Sequence, residues 1–296
     1  MTETPPLTLD RLARPTGTFA MVAMDQRESL RTMLTEQGHP ADDAALASFK
    51  LDVAATLAPL ASAFLIDRHH AYAQLVRDRV LPAGCGLILA VDALSQQPGG
   101  PVEDTELDPD ADLAQAGRDG VVALKLLVTW KRDGGEDRRV ELAHRFVELC
   151  RQAGLLSVLE PVAVPAPGQQ DFDLEAGILD AAAALGPLEP SLYKAQVPRQ
   201  GRGDLCDLVA ACEKLDRQLS RPWVVLSNGV DAADFPTAVE AACRGGASGM
   251  LAGRALWRDA LATTDPAAAL REGSVARLRR LTDIVDRYGR PWTEVR

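Results

Sequence analysis

Val121-Val122-Ala123-Leu124-Lys125-Leu126-Leu127-Val128 is apolar on both faces, with Lys125 as its single charged residue. A strand with one face in water alternates polar and apolar residues, whereas a strand of a covered parallel sheet is apolar on both faces. The run therefore predicts a buried strand in a parallel sheet that helices cover on both sides.

Similar short apolar runs recur along the chain. Together they lie at 18–24, 61–66, 86–91, 121–128, 155–159, 191–198, 222–226 and 247–252. Segments with helical character separate nearly all of them, at 28–37, 42–57, 71–78, 138–153, 173–185, 204–218, 234–244 and 273–288. Residues 95–110 are rich in Gln, Pro, Gly and Asp and are predicted to form a surface loop.

Eight strands that alternate with helices in 296 residues predict an α/β fold, a single (β/α)8 TIM barrel. An open doubly wound sheet is the alternative, but the glycine-rich dinucleotide motif expected after its first strand is absent from the sequence. No linker divides the chain. We expect one domain over residues 1–296, with a polar leader at 1–15 and a C-terminal helix and tail at 273–296.

Composition excludes several classes of protein. A net charge of −10 gives no general basic field for nucleic acid or an anionic membrane. No apolar run approaches the ~18 residues that span a bilayer, and the N-terminus lacks the basic and apolar regions of a signal peptide. Five cysteines without a CxxC pair indicate reduced thiols rather than a zinc site. We expect a cytoplasmic protein.

Two lysines and one glutamate stand out inside the predicted strands. Lys194 lies in the middle of the sixth run, Lys125 lies in the fourth, and Glu160 ends the fifth run between them. A buried amine loses its proton more easily, and a second inward lysine strengthens that tendency. A neutral amine is a nucleophile that forms a Schiff base with a ketone. The alternatives are a lysine that merely reaches water and a structural pair between Lys125 and Glu160.

The last two strands end in residues suited to an anion. Ser227, Asn228 and Gly229 follow the seventh run, and Gly253 and Arg254 follow the eighth. Barrels of this type commonly bind phosphate at these two strands, and a guanidinium suits a tetrahedral anion. The alternative is that both glycines only turn the chain.

An amine nucleophile, a carboxylate and an anion site together fit carbon–carbon cleavage of a ketose phosphate through an imine. This chemistry needs no metal and no cofactor. A zinc enzyme needs several converging ligands, and the four histidines are His39, His69, His70 and His144. Adjacent His69 and His70 point to different faces, so metal catalysis is not expected.

Several motifs resemble those of the bacterial class I aldolases that include tagatose-bisphosphate aldolase. They are FAMVAMDQRE at 19–28, ALKLL at 123–127, LEP at 159–161, YKAQVP at 193–198, WVVLSNGV at 223–230 and GMLAGRALW at 249–257. Within that group, these motifs most resemble those of the sulfofructose-phosphate aldolases of sulfoglycolysis.

The resemblance implies a lyase that cleaves 6-deoxy-6-sulfofructose 1-phosphate to dihydroxyacetone phosphate and sulfolactaldehyde. It implies Lys194 as the Schiff-base lysine and Glu160 as the acid/base. The positions that it implies for substrate binding are Asp25, Gln26, Lys125, Ser227, Asn228, Gly229, Gly253 and Arg254. The chain departs from the family at Gln196, where Glu is frequent, and at Asn228, where Ser or Ala is usual.

Two other functions stay open from the sequence. One is cleavage of tagatose or fructose bisphosphate in the same fold, and the other is a sugar-phosphate sensor without catalysis. The amphipathic last helix and the Arg290-Pro291-Trp292 tail suggest a surface that covers a neighbouring copy, so we expect a homo-oligomer.

Overall fold

A computed structural model describes residues 8–97 and 100–295 of the chain. The first seven residues of the predicted leader, and Pro98 and Gly99 of the predicted loop, lie outside the described residues. Within the rest of the leader, Leu9 and Leu12 are buried among the side chains that fill the barrel.

Eight parallel strands close into a barrel, which confirms the predicted TIM barrel. They are β1 (Phe19–Met24), β2 (Ala63–Asp67), β3 (Gly86–Ala90), β6 (Val121–Trp130), β7 (Leu156–Ala163), β8 (Leu192–Ala195), β9 (Trp223–Val225) and β10 (Gly249–Ala252), with β4 and β5 forming a separate hairpin at Asp92–Gln96 and Val102–Leu107. Neighbours around the barrel run β1-β10-β9-β8-β7-β6-β3-β2. Their carboxyl ends share one rim, where barrels of this type carry their sites.

Helices cover the outside of the barrel. They are α1 (Glu28–Glu36), α2 (Asp43–Leu57), α3 (Tyr72–Arg77), α4 (Leu113–Arg118), α5 (Glu136–Ala153), α6 (Leu174–Leu185), α7 (Leu205–Asp216), α8 (Phe235–Arg244), α9 (Arg254–Trp257), α10 (Pro266–Ala269) and α11 (Val275–Tyr288). Outward strand residues such as Val22 and Tyr193 pack under these helices, whereas inward residues such as Met21 and Val158 fill the barrel. No helix in the described part of the chain is long and apolar enough to cross a membrane.

The prediction of a surface loop at 95–110 is wrong, because most of this segment belongs to the hairpin β4–β5. Its sequence lacks a strand signal, since the exposed positions are polar or charged and Thr105 is the buried residue of β5. The hairpin contacts residues from a later part of the chain: Arg138 of α5 pairs with Asp104 and Glu106, and Lys131 Nζ donates to the Glu103 carbonyl oxygen at 3.0 Å.

The C-terminal helix and tail pack on their own chain. Leu278, Leu281 and Val285 of α11 are buried, and the Trp292 amide donates to the Gly17 carbonyl oxygen at 2.8 Å. Arg290 donates from Nε to the Gly246 carbonyl oxygen at 3.0 Å. These contacts account for the features that suggested a neighbouring copy, and the homo-oligomer stays a prediction.

Candidate active site

A cavity of about 610 Å³ opens at the carboxyl ends of the barrel strands. Nine of the ten predicted site residues line it: Lys194, Glu160, Asp25, Gln26, Lys125, Ser227, Asn228, Gly253 and Arg254. Gly229 lies outside the lining and serves the turn after β9, where its φ of 77° favours glycine.

Lys125 lies at the floor of the cavity, held by three carboxylates. Its Nζ is 2.8 Å from Asp25 Oδ2, 2.8 Å from Asp92 Oδ2 and 2.9 Å from Glu160 Oε2. Burial alone would lower the pKa of Lys125, but the three negative charges outweigh it and raise that pKa well above its usual value. The sequence predicts that each of the two inward lysines lowers the pKa of the other. This prediction does not hold for Lys125, which stays charged.

The same charges act on Asp25. Burial alone would raise the pKa of this carboxyl group, but attraction to Lys125 and Lys194 and the hydrogen bond from Lys125 hold it well below its usual range. Gln26 Nε2 adds a weak donor 3.3 Å from Asp25 Oδ1. Asp25 is thus an anion fixed beside Lys125.

Lys194 and Lys125 share Glu160. The Lys194 Nζ atom lies 3.0 Å from Glu160 Oε1, so the two oxygens of this carboxylate face the two amines. Adjacent strands create the arrangement, since β6 pairs with β7 and β7 pairs with β8. Lys194 has this one carboxylate contact among the described residues, whereas Lys125 has three. Lys194 is therefore the amine with fewer carboxylate partners, and its role as the nucleophile stays a prediction.

The predicted anion corner combines a guanidinium with neutral donors. Arg254 donates from Nη2 to Asn228 Oδ1, and burial lowers the pKa of its guanidinium, with nearby Arg258 adding to the effect. Ser227 Oγ accepts from the Gly253 amide at 3.3 Å and so ties the ends of β9 and β10 together. A Cβ at Gly253 would lie only 3.0 Å from the Ala23 carbonyl oxygen, so glycine suits the close approach of the two strands there.

One buried polar atom in this corner lacks a protein partner. The Oε1 atom of Gln26 is buried and accepts no hydrogen bond from the described residues. Buried polar groups in proteins are nearly always paired with protein or water, so this acceptor in the cavity is available to a donor on a ligand. Gln26 thus belongs with Arg254 and Ser227 on the side of the cavity formed by β9, β10 and the end of β1.

Asp92 and Arg27 belong to this charge network although sequence reasoning did not include them in the site. Besides holding Lys125, Asp92 Oδ1 accepts from Arg27 Nη2 at 2.7 Å, and its carbonyl oxygen accepts from Arg27 Nη1 at 2.8 Å. The available signal was position, since Asp92 follows the third apolar run as Asp25 follows the first.

Gln196 lies away from the reacting groups. Its Oε1 accepts from the Ala163 amide at 2.6 Å, which joins the ends of β7 and β8, and the residue is not part of the cavity lining. Its neutral side chain therefore has a structural partner at a position where the resemblance leads one to expect a charge.

No group of three or more His, Cys, Asp or Glu side chains suited to a metal ion occurs among the described residues. The three carboxylates that converge in the cavity converge on the Lys125 ammonium. Metal independence itself stays a prediction.

The fold and this lysine-centred site place the chain among the TIM-barrel proteins that carry charged groups at the carboxyl ends of their strands. The model of the DeoC/LacD family of aldolases matches residues 19–259. The chain therefore belongs to the DeoC/LacD family of aldolases.

Individual relatives agree with this membership. The tagatose 1,6-diphosphate aldolase of Listeria monocytogenes is 24% identical over 278 residues, which cover 86% of this chain and 81% of that protein. Tagatose 1,6-diphosphate aldolase 2 of Enterococcus faecalis is 28% identical over 163 residues, 53% of this chain and 48% of that protein.

Solved structures share the fold at low identity. Fructose-bisphosphate aldolase from Plasmodium falciparum has a TM-score of 0.69 at 14% identity, over 95% of this chain and 93% of that one. An archaeal fructose-1,6-bisphosphate aldolase, whose catalytic lysine is bound to a carbinolamine intermediate, has a TM-score of 0.62 at 15% identity. The match covers 94% of this chain and 98% of that one.

Proposed function

We propose that this protein is a class I, imine-forming aldolase that cleaves a ketose 1-phosphate and releases dihydroxyacetone phosphate. The observation that carries the proposal is the pair of amines on Glu160: three carboxylates hold Lys125 charged, whereas among the described residues Lys194 contacts only the carboxylate that the two lysines share. Family membership supports the reaction class.

Each step of the reaction has a candidate group. The Lys194 amine passes a proton to Glu160, 3.0 Å away, and adds to the C2 carbonyl of the ketose. Glu160 returns the proton to the hydroxyl that leaves as water, which gives a protonated imine. Glu160 takes the proton of the C4 hydroxyl, the C3–C4 bond breaks, and its electron pair moves toward the imine to give an enamine. The aldehyde leaves, C3 of the enamine is protonated, and water hydrolyses the imine to free dihydroxyacetone phosphate and Lys194.

The charged Lys125 has a separate task in this proposal. It lies 2.9 Å from Glu160 and keeps a fixed positive charge beside the carboxylate that exchanges protons. Placed charges of this kind stabilise charge that develops in the transition state. Asp25 and Asp92 orient the ammonium for this role.

The particular sugar remains a prediction from the resemblance. The first candidate is 6-deoxy-6-sulfofructose 1-phosphate, and tagatose or fructose bisphosphate is the alternative. Both carry a second anion at C6. The sensor without catalysis is the alternative from another class, and a site that keeps both Lys194 and Glu160 argues against it.

Turnover in the presence of a chelator tests the proposed reaction. We expect dihydroxyacetone phosphate to be released from a ketose 1-phosphate, measured by coupled reduction, at the same rate with and without EDTA. Full loss of activity in EDTA, restored by a divalent metal, would contradict the imine mechanism. Binding of the sugar phosphate without any turnover would favour the sensor.

Replacement of Arg254 tests the anion corner. We expect Arg254→Gln to raise KM for the ketose 1-phosphate about 10- to 100-fold, because a hydrogen bond to a charged group contributes about 1.5–3 kcal/mol. The value of kcat should change much less, since Arg254 has no role in the bond that breaks. Arg258→Gln, at an exposed position one turn away, is the matched control. An unchanged KM in Arg254→Gln would show that the phosphate binds elsewhere.

A further inference from the structure

The mouth of the cavity has two unlike sides. The anion corner follows β9, β10 and β1, whereas β6, β7 and the hairpin β4–β5 form the other side. In the closed barrel β6 lies four strands from β10, and β7 lies four strands from β1. In a ring of eight strands these positions are opposite each other. An extended ketose 1-phosphate with its phosphate in the corner therefore directs its other end toward β6, β7 and the hairpin.

Five half-buried aliphatic side chains cover that opposite side, which we call the aliphatic wall. They are Leu94, Val102, Leu127, Val162 and Val164. Leu127 pairs with Glu160 in the register of β6 and β7, and Val162 lies two residues, about 7 Å, farther toward the mouth. The wall thus begins beside the acid/base and continues along the path of the leaving aldehyde. Apolar surface lining a cavity is where a ligand places its own apolar part.

Above Lys125 and Glu160 at the floor, the polar side chains that β6, β7 and the hairpin add to the cavity lining are neutral. Thr129 lines the cavity, is 2% exposed, and its Oγ1 has no hydrogen-bond partner among the described residues. Gln96 of the hairpin contributes an amide. A buried hydroxyl without a protein partner is available to pair with a hydroxyl or carbonyl group of a ligand.

Most positive charges in the cavity are already paired with carboxylates and so are poorly placed to bind a second anion. Four cations line it: Arg27, Lys125, Lys194 and Arg254. The first three each contact a carboxylate, and Arg254 has only the neutral Asn228 as a side-chain partner within the described residues. Pro98 and Gly99, which lie between the two hairpin strands in sequence and outside the described residues, carry no charge.

From this arrangement we propose that the substrate carries a single anion and that its far end is uncharged and aliphatic, with hydroxyl groups as its polar substituents. The inference rests on the proposed function and specifies its substrate class: a ketose 1-phosphate that yields a short uncharged aldehyde or hydroxyaldehyde. A phosphate at C6 carries a charge of about −1.5 to −2 and would lie on the aliphatic wall without a free cation. The sulfonated and bisphosphorylated sugars that the resemblance suggests are then poor substrates.

Binding of unreactive phosphates tests the wall independently of catalysis. Hexyl phosphate has one anion and an apolar chain, and hexane-1,6-diol bisphosphate has an anion at each end. We expect calorimetric titration of the wild-type protein to show hexyl phosphate binding at least about tenfold more tightly. Equal or tighter binding of the bisphosphate, or no binding of hexyl phosphate, would overturn the proposal. Neither compound has a carbonyl group, so failure of the imine chemistry would not affect this result.

A cation placed in the wall should reverse the preference. We expect Val162→Lys to bind hexane-1,6-diol bisphosphate about tenfold more tightly than the wild type and hexyl phosphate more weakly. Val147→Lys, a half-buried valine on α5 outside the cavity lining, makes the same change and should leave both affinities unaltered. If Val162→Lys does not fold, Leu94→Lys in the hairpin replaces it. An unchanged preference in a folded wall variant would contradict the placement of the far end.

Turnover gives a second readout on the same claim. In aldol addition with dihydroxyacetone phosphate, we expect kcat/KM for lactaldehyde to exceed that for glyceraldehyde 3-phosphate and for 3-sulfolactaldehyde by at least about tenfold. A preference for either anionic aldehyde would overturn the proposal. The buried Arg27 Nε, which has no acceptor among the described residues, would then be the first group to examine.

Discussion

Lys194→Met should abolish cleavage of the ketose 1-phosphate, with a fall in kcat on the order of 10⁴-fold or more, because the variant has no amine to form the imine. The protein should still fold. Methionine fills a similar volume in the buried position, and Glu160 keeps Lys125 as an ionic partner at 2.9 Å. Coupled release of dihydroxyacetone phosphate measures the activity, and circular dichroism measures the fold.

Lys214→Met is the matched control for this variant. Lys214 is half-exposed on α7 and pairs with Glu175 at 3.0 Å, outside the cavity lining. The control should retain wild-type activity. Residual activity above a few per cent in Lys194→Met would mean that another group forms the covalent intermediate, and Lys125 would be the first alternative.

Lys125→Met should have the largest effect on stability. The change leaves Asp25, Asp92 and Glu160 close together with their common counter-ion removed. Breaking a buried ion pair by removing one partner costs about 3–5 kcal/mol, because the remaining charge is buried without compensation. We expect the urea midpoint at pH 7 to fall accordingly, whereas Lys214→Met should change it little.

The stability difference should depend on pH in a defined direction. In the wild type the pKa of Asp25 lies below its unfolded value, so its contribution is present above about pH 4 and is lost as the pH falls. In Lys125→Met the carboxylates repel one another, and protonation relieves that repulsion. The gap between wild type and variant should therefore be widest near neutral pH and narrow below about pH 4. A gap that stays constant with pH would show that lost packing, rather than charge, destabilises the variant.

The barrel could be predicted from the sequence because its strands are buried on both faces. Runs such as 121–128 and 247–252 are apolar on both faces apart from Lys125 and Ser248, and few other folds require eight such runs. The hairpin β4–β5 could not be predicted in the same way. Its exposed positions are polar, and its ion pairs from Arg138 to Asp104 and Glu106 join residues that are distant in the sequence.

The sequence predicts which residues form the site better than it predicts their charge states. An isolated charge within an apolar run, or directly after one, identifies Lys125, Lys194 and Glu160, and the structure brings them into contact. The charge state of Lys125 could not be derived this way, because it depends on Asp25 and Asp92, which arrive from two other strands. A lysine with one neighbouring carboxylate and a lysine with three look alike in a sequence.

The aliphatic wall has no signature in the sequence. Leu127 belongs to a run that is typical of ordinary core, and Val162 lies beyond the end of the fifth run; only the inward direction of β6 and β7 places them in the cavity. Leu94 and Val102 join them because the hairpin lies over the same opening. These side chains indicate an uncharged end of the substrate only when they are considered together with the ion-paired lysines at the floor of the cavity.

Borohydride trapping with dihydroxyacetone phosphate, in the presence of a chelator, tests the central claim most directly. Reduction of an imine fixes the donor on the amine that formed it, and peptide mass mapping identifies the residue. We expect the reduced adduct on Lys194, in the peptide that contains Tyr193 and Ala195. An adduct on Lys125 would reverse the roles of the two lysines. The absence of any adduct, together with activity that requires a metal ion, would contradict the imine mechanism.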